Sequence, residues 1–137
     1  MRGGVVLSDQ IASNVVPTVG RDFWHTQSYG TSPASNGLNY IALSNDALTE
    51  TTASTTLSTE IVANGLDRAI GAVSHTVGTA VTTVYKLFTA TGAQDAQKAA
   101  LFTAVAAGTM NHALAFDVPL SLAIADTLSV TFTITLG

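Results

Sequence analysis

The chain has 137 residues, a formal net charge of −4 and no cysteine, and it is 47% hydrophobic but only 10% charged, where an ordinary soluble domain is about 25% charged. That length fits one domain whose core needs no staples, and the missing cysteine excludes disulfides, thiol chemistry and Cys-ligated metals. The five basic residues, Arg2, Arg21, Arg68, Lys86 and Lys98, stand singly in an acidic chain, so no basic stripe can neutralise phosphates and no nucleic-acid partner is expected.

Thr, Ser, Gly, Asn or a charge interrupts every apolar run well before the ~18 residues of a spanning helix, so no membrane partner is expected either. The opening MRGGVVLSDQ has too short an apolar part for a signal peptide, which points to synthesis in a cytoplasm. A surface this poor in charge suits a chain covered by neighbours better than a free monomer.

Residues 1–37 hold two β-prone pieces, GGVVL and ASNVVPTVG, and then RDFWHTQSYGTSPASNG, which has no sustained periodicity. They read as an extended N-terminal arm with loops, set before a β-domain over 38–137. Phe23, Trp24 and Tyr29 are large anchors that either plug one end of the core or hold an interface, since buried aromatics carry much of the contact energy in both.

LNYIALS is a strand candidate, and SNDALTETTASTT has turn and loop chemistry. The Thr/Ser-dominated TETTASTTLST is expected as a solvated loop. In STEIVANGLDRAIGAVSHTVG, Asn64-Gly65 and Gly71 cut the apolar pieces, and Asn-Gly signals a tight turn because both residues tolerate positive φ. TAVTTVYKLFTATG, with Val81, Val84, Leu87 and Phe88, is β-branched enough to be a strand, with a bulge expected within it.

AQDAQKAALFTAVAAG has the local propensity of a helix, but a strand near Ala99–Thr103, a turn at Ala106-Ala107-Gly108 and a strand from Thr109 to Phe116 fit it equally. Pro119 marks a break, because proline cannot donate to a ladder, and Asp126 opens the last strand. There TLSVTFTITLG puts Leu128, Val130, Phe132, Ile134 and Leu136 on one side and Ser129, Thr131, Thr133 and Thr135 on the other, the period of a strand with one buried face. Its apolar row is expected to face Val81–Phe88 and Ala113–Phe116. Its hydroxyl row lacks the Lys, Glu or Pro that usually guards a terminal strand, so Thr131 and Thr133 are candidate interface residues. Roughly eight strands at intervals of about 8 to 12 residues indicate an all-β sandwich or barrel.

Site chemistry is sparse. His25, His75 and His112 stand far apart without metal-ligand spacing, and Gly-x-Ser-x-Gly is absent. GTAVTTVYK lacks the second glycine and the following Ser or Thr of a phosphate loop. Asp46 with Glu50, and Glu60 with Asp67, are the nearest carboxylate pairs; in a Thr-rich loop they read as solvated charges, and Glu60 can pair with Arg68 across neighbouring strands. No enzymatic activity and no cofactor or metal is expected.

From Tyr40 onward, NYIALSN, the Thr-rich loop, LSTEIVANGLDRA, AALF followed by AGTMNHALAF, and DTLSVTFTITLG resemble the cement, or head-decoration, proteins of short-tailed bacteriophages of the Bordetella phage type. Related chains carry Gly-Thr-Gly where this one has Ser44-Asn45-Asp46, and Glu-Ala-Gly-Leu-Phe where it has Lys98-Ala99-Ala100-Leu101-Phe102. The resemblance implies a jelly-roll-like antiparallel β-sandwich without catalytic residues, and it places Ala100–Thr103 in a strand. The implied function is mechanical: copies made in the host cytoplasm bind the outer surface of the icosahedral head, bridge major capsid proteins and resist the pressure of packaged DNA. The partners it implies are the major capsid protein and further copies of the chain, a dimer before a trimer because two-fold association is the commonest closed symmetry. The alternative is a receptor- or glycan-binding β-module of a tail fibre, with Trp24, His25 and Tyr29 stacking on sugars.

Overall fold

The structure is a computed structural model and describes residues 9–10, 15–20, 22, 24 and 37–135. Phe23, His25, Tyr29 and Leu136, singled out above, lie outside the described residues. The described strands are β1 (Tyr40–Ser44), β2 (Ala69–Ile70), β3 (Ala72–His75), β4 (Val81–Thr89), β5 (Gln94–Phe102), β6 (Met110–Leu122) and β7 (Thr127–Thr135). Every pairing is antiparallel, and the strands form two sheets, in the orders β2-β1-β5-β6 and β3-β4-β7. They pack face to face as the all-β sandwich that the strand pattern indicates.

The strict alternation of β7 and the β-branched run of β4 meet in one ladder, from Val81↔Thr135 to Thr89↔Thr127, with no shift of register. The bulge expected in β4 is therefore absent, since the two strands match residue for residue. Val84, Phe88, Val130 and Phe132 turn inward and are buried. β4 lies beside β7 instead of facing it, which corrects the expected packing. The layer opposite comes from the other sheet, with Ile41, Leu43, Ala99 and Leu101 at its centre and Leu114 and Phe116 at its margin.

β5 occupies the stretch that fits helix and strand equally. Its two edges are taken by β1 and β6, and burial overrides a helix propensity worth only tenths of a kcal/mol per residue. Both of its faces are also covered. Ala99 and Leu101 enter the core between the sheets, while Ala100 and Phe102 join Tyr40, Ala42, Leu57, Met110 and Ala113 in a second apolar cluster on the outer face.

Pro119 does not end a strand but lies inside β6. The pairs Lys98↔Ala115 and Ala96↔Leu120 frame a register shift there, so Phe116–Pro119 bulge out opposite Gln97. An edge-strand bulge is where a residue without an N–H can be accommodated.

Two glycines set the corners. Gly71 separates β2 from β3, where the chain passes from one sheet to the other; a Cβ there would stand 2.9 Å from Val84 Cγ1 and 3.0 Å from Tyr85 O. Asn64 and Gly65 both have positive φ, 59° and 76°, the I′-type turn that the dipeptide signals. This turn docks on the β4–β5 connection through Thr91 N donating to Asn64 O at 2.9 Å. A Cβ on Gly65 would lie 2.3 Å from Thr89 O. Gly65→Ala is therefore expected to cost about 1–3 kcal/mol from backbone strain alone, more with the contact, and to lower the urea midpoint of unfolding accordingly.

Candidate interaction surface

On the outer face of β5, Lys98 has a fully buried side chain. Its Nζ donates to Leu48 O at 2.8 Å, Glu50 Oε1 at 2.8 Å and Ser58 Oγ at 2.6 Å, and it stands 2.7 Å from Asp46 Oδ1. Ser58 Oγ in turn lies 3.1 Å from Asp46 Oδ1 and 3.0 Å from Glu50 Oε1. Asp46 and Glu50 are thus not the solvated loop charges expected of them, because the loop folds back over the sheet and delivers both to one cation. The Thr/Ser-rich segment is likewise more than a solvated loop, as Leu57 is buried beneath it. The Ser58–Lys98 contact fastens the loop to the sheet. Ser44-Asn45-Asp46 and Lys98–Phe102, the two departures from the resembled pattern, meet here: Ser44 pairs with Lys98 across β1 and β5, and Asp46 bonds it.

A second cation fastens the next loop. Arg68 donates through Nε and Nη2 to the two Glu60 oxygens at 2.8 and 2.6 Å, and through Nη1 to Ala104 O and Ala107 O at 3.1 and 2.7 Å. Its guanidinium lies 3.5 Å from the centre of the Phe102 ring, a cation–π contact. The expected Glu60–Arg68 pair is present, within the loop between β1 and β2 and not between paired strands.

Among the described residues, the other sheet is covered on one side only. On the outer side of β3-β4-β7, Tyr85 lies between Ala72 and Thr131, and Thr83 between Ser74 and Thr133. Val81, Leu87, Thr89, Thr127, Ser129 and Thr135 complete this face by register. None of these side chains is charged. Tyr85 is 42% and Leu87 47% exposed, and Thr131 and Thr133 are exposed beside them, as the alternation of β7 requires.

The sheet edges differ as well. Along β6, Val15 and Ala113 exchange backbone hydrogen bonds of 2.6 and 2.9 Å, and the Gln10 side-chain amide pairs with both N–H and C=O of Val118 at 3.1 Å. Both contacts fit one antiparallel register, so Val15 and Gln10 meet that edge at Ala113 and Val118. Pro17 is buried and Asn111 Nδ2 donates to Gly20 O at 2.7 Å. β7 is the last strand of its sheet, and among the described residues no strand pairs with its other edge from Leu128 to Thr135.

Trp24 is half-buried, with its ring centre 5.4 Å from that of His112, which lies 6.5 Å from Phe132. Of the arm aromatics, Trp24 thus packs its ring against the buried His112. His75 is on the exposed strand β3, with Nδ1 2.8 Å from Val81 O. Among the described residues no three His, Asp or Glu side chains cluster to hold a metal, and no helix is long and apolar enough to cross a membrane. Comparison with family models, with curated proteins and with solved structures finds no match.

Among the described residues, three groups make stability depend on acid. The Lys98 ammonium and the Thr59 hydroxyl hold the Asp46 carboxyl well below its ordinary range. Burial pushes Glu50 up, but Lys98 and the serines more than offset it, leaving it below its usual value of 4.5. Burial pushes His112 down to about 4 from 6.5. In all three cases the unfolded chain takes up protons before the folded one, so stability falls as pH falls. The His112 contribution is expected to be lost between about pH 6.5 and 4, and the carboxylate contributions from pH 4.5 downward. Melting temperatures measured through this range should show both limbs, and His112→Gln should remove the upper one alone. Separately, Lys98→Ala leaves Glu50 buried without its cation and is expected to cost about 3–5 kcal/mol by chemical denaturation.

Proposed function

We propose that this chain is a structural cement protein of a phage head, binding the outer surface of the icosahedral shell and bridging its major capsid proteins. The observation that carries the reading is the uncharged outer face of β3-β4-β7, on which Tyr85, Leu87 and Val81 are exposed among a field of Thr and Ser. Interfaces differ from the remaining surface in having few charges and an aromatic anchor at their centre. Tyr85, flanked by Thr131, has that position. The doubly fastened loops and the contacts of Val15 and Gln10 with the β6 edge suit a mechanical part, since each ties a segment down. The jelly-roll-like connectivity implied by the resemblance belongs to the same proposal, as do the major capsid protein and further copies of the chain as partners. Many such modest contacts made at once hold strongly through avidity. In the tail-fibre alternative a sugar would stack on Trp24, whose ring already lies against His112.

Cryo-electron microscopy of the virion is expected to place the chain on the outer capsid lattice, and lack of density there would end the cement reading. In a binding assay with heads lacking this protein, Tyr85→Lys should weaken attachment at least about tenfold with little change in melting temperature.

A further inference from the structure

Apart from the β6 edge, which Val15 and Gln10 meet, the sandwich has one long edge with which no described strand pairs, that of β7 from Leu128 to Thr135. The strand is ladder-regular against β4 and carries no charge, no proline and no bulge, the devices that keep an edge from pairing. Its inner row is half-finished: Val130 and Phe132 are buried, but Leu128 and Ile134 are only partly so.

We infer that β7 pairs antiparallel with β7 of a second copy about a two-fold axis through Thr131, joining two three-stranded sheets into one of six strands. The occupant follows from the strand itself. About Thr131, Leu128 falls opposite Ile134, Ser129 opposite Thr133 and Val130 opposite Phe132. Every apolar residue then meets an apolar one and every hydroxyl a hydroxyl, with the two partly covered residues closing on each other. A one-residue slip would put Thr against the core row, which excludes every odd shift; among the even ones, an axis through Thr131, the middle residue of β7, pairs the whole strand. Having no charge on the strand, the pairing sets no like charges opposite one another, as a two-fold axis would for any charged residue on it. The two uncharged outer faces become one continuous surface. The inference deepens the cement reading, which supposes that copies of the chain meet.

The absence of cysteine makes a direct test available. In the proposed register Thr131 lies opposite its own copy at a Cα separation of about 4.5–5.5 Å, within the range a disulfide spans. The two Tyr85 residues would be about 14 Å apart, three strand spacings. Both positions are exposed, so single cysteines there should fold, which circular dichroism checks. The wild-type chain is expected to run as a dimer in light scattering coupled to size exclusion. Thr131→Cys should convert to a disulfide-linked dimer under mild oxidation, and Tyr85→Cys should not. A monomer at high concentration, a trimer, or cross-linking at 131 no greater than at 85 would overturn the pairing. Attachment to heads is measured separately. A monomer that still decorates heads overturns the pairing and leaves the cement reading standing, while a dimer cross-linked at 131 supports the pairing whether or not it decorates heads.

Discussion

Lys98 has its whole side chain withdrawn from solvent, and an ammonium in that position is tolerable only where carboxylates and other acceptors meet it. Asp46, Glu50, Ser58 and the Leu48 carbonyl do so, and all four belong to the loop that follows β1. The cation therefore decides where that loop lies. It is drawn across the outer face of β1 and β5, where Leu57 closes over Ala42, Ala100 and Phe102. Thr18 N donates to Thr52 O at 2.8 Å, so the arm rests on the loop that Lys98 holds. Arg68 repeats the device next door, tying 60–68 to 104–107 across the Phe102 ring.

The consequence is an unequal sandwich. The sheet β2-β1-β5-β6 is buried on both faces along β1 and the second half of β5 and meets Val15 and Gln10 at its β6 edge, whereas among the described residues β3-β4-β7 gives one face to the core and leaves the other exposed. Buried ion pairs are poor sources of net stability but demand one geometry. Here they lie on the closed half, and among the described residues no ion pair joins the strands of the open half. On the side of Tyr85, Thr131 and Thr133 loss of solvent would strand no charge.

Legibility in the sequence followed the same division. The pairing face of β7 and the inward turn of Val130 and Phe132 were readable because a strand with one wet face must alternate, and the Asn64-Gly65 turn because few other residues accept its φ values. β5 was ambiguous for a physical reason. Gln94–Phe102 lies between two strands and under two layers, so its burial runs almost continuously from Ala96 to Phe102, and no period of two remains to oppose the helix propensity of alanine. Pro119 misled because a bulge excuses it. Asp46 and Glu50 misled because their cation is some fifty residues away in the chain.

Composition and alternation thus sufficed for an all-β chain with an uncharged hydroxyl face on its last strand, since low charge and period two are properties of the covalent sequence alone. The partner of each strand, the two-sided burial of β5, the meeting of Lys98 with Asp46 and Glu50, and the contacts of Gln10 and Val15 with β6 all arise from long-range pairing. That pairing depends on which distant segments come to share a sheet, and no local spacing encodes it.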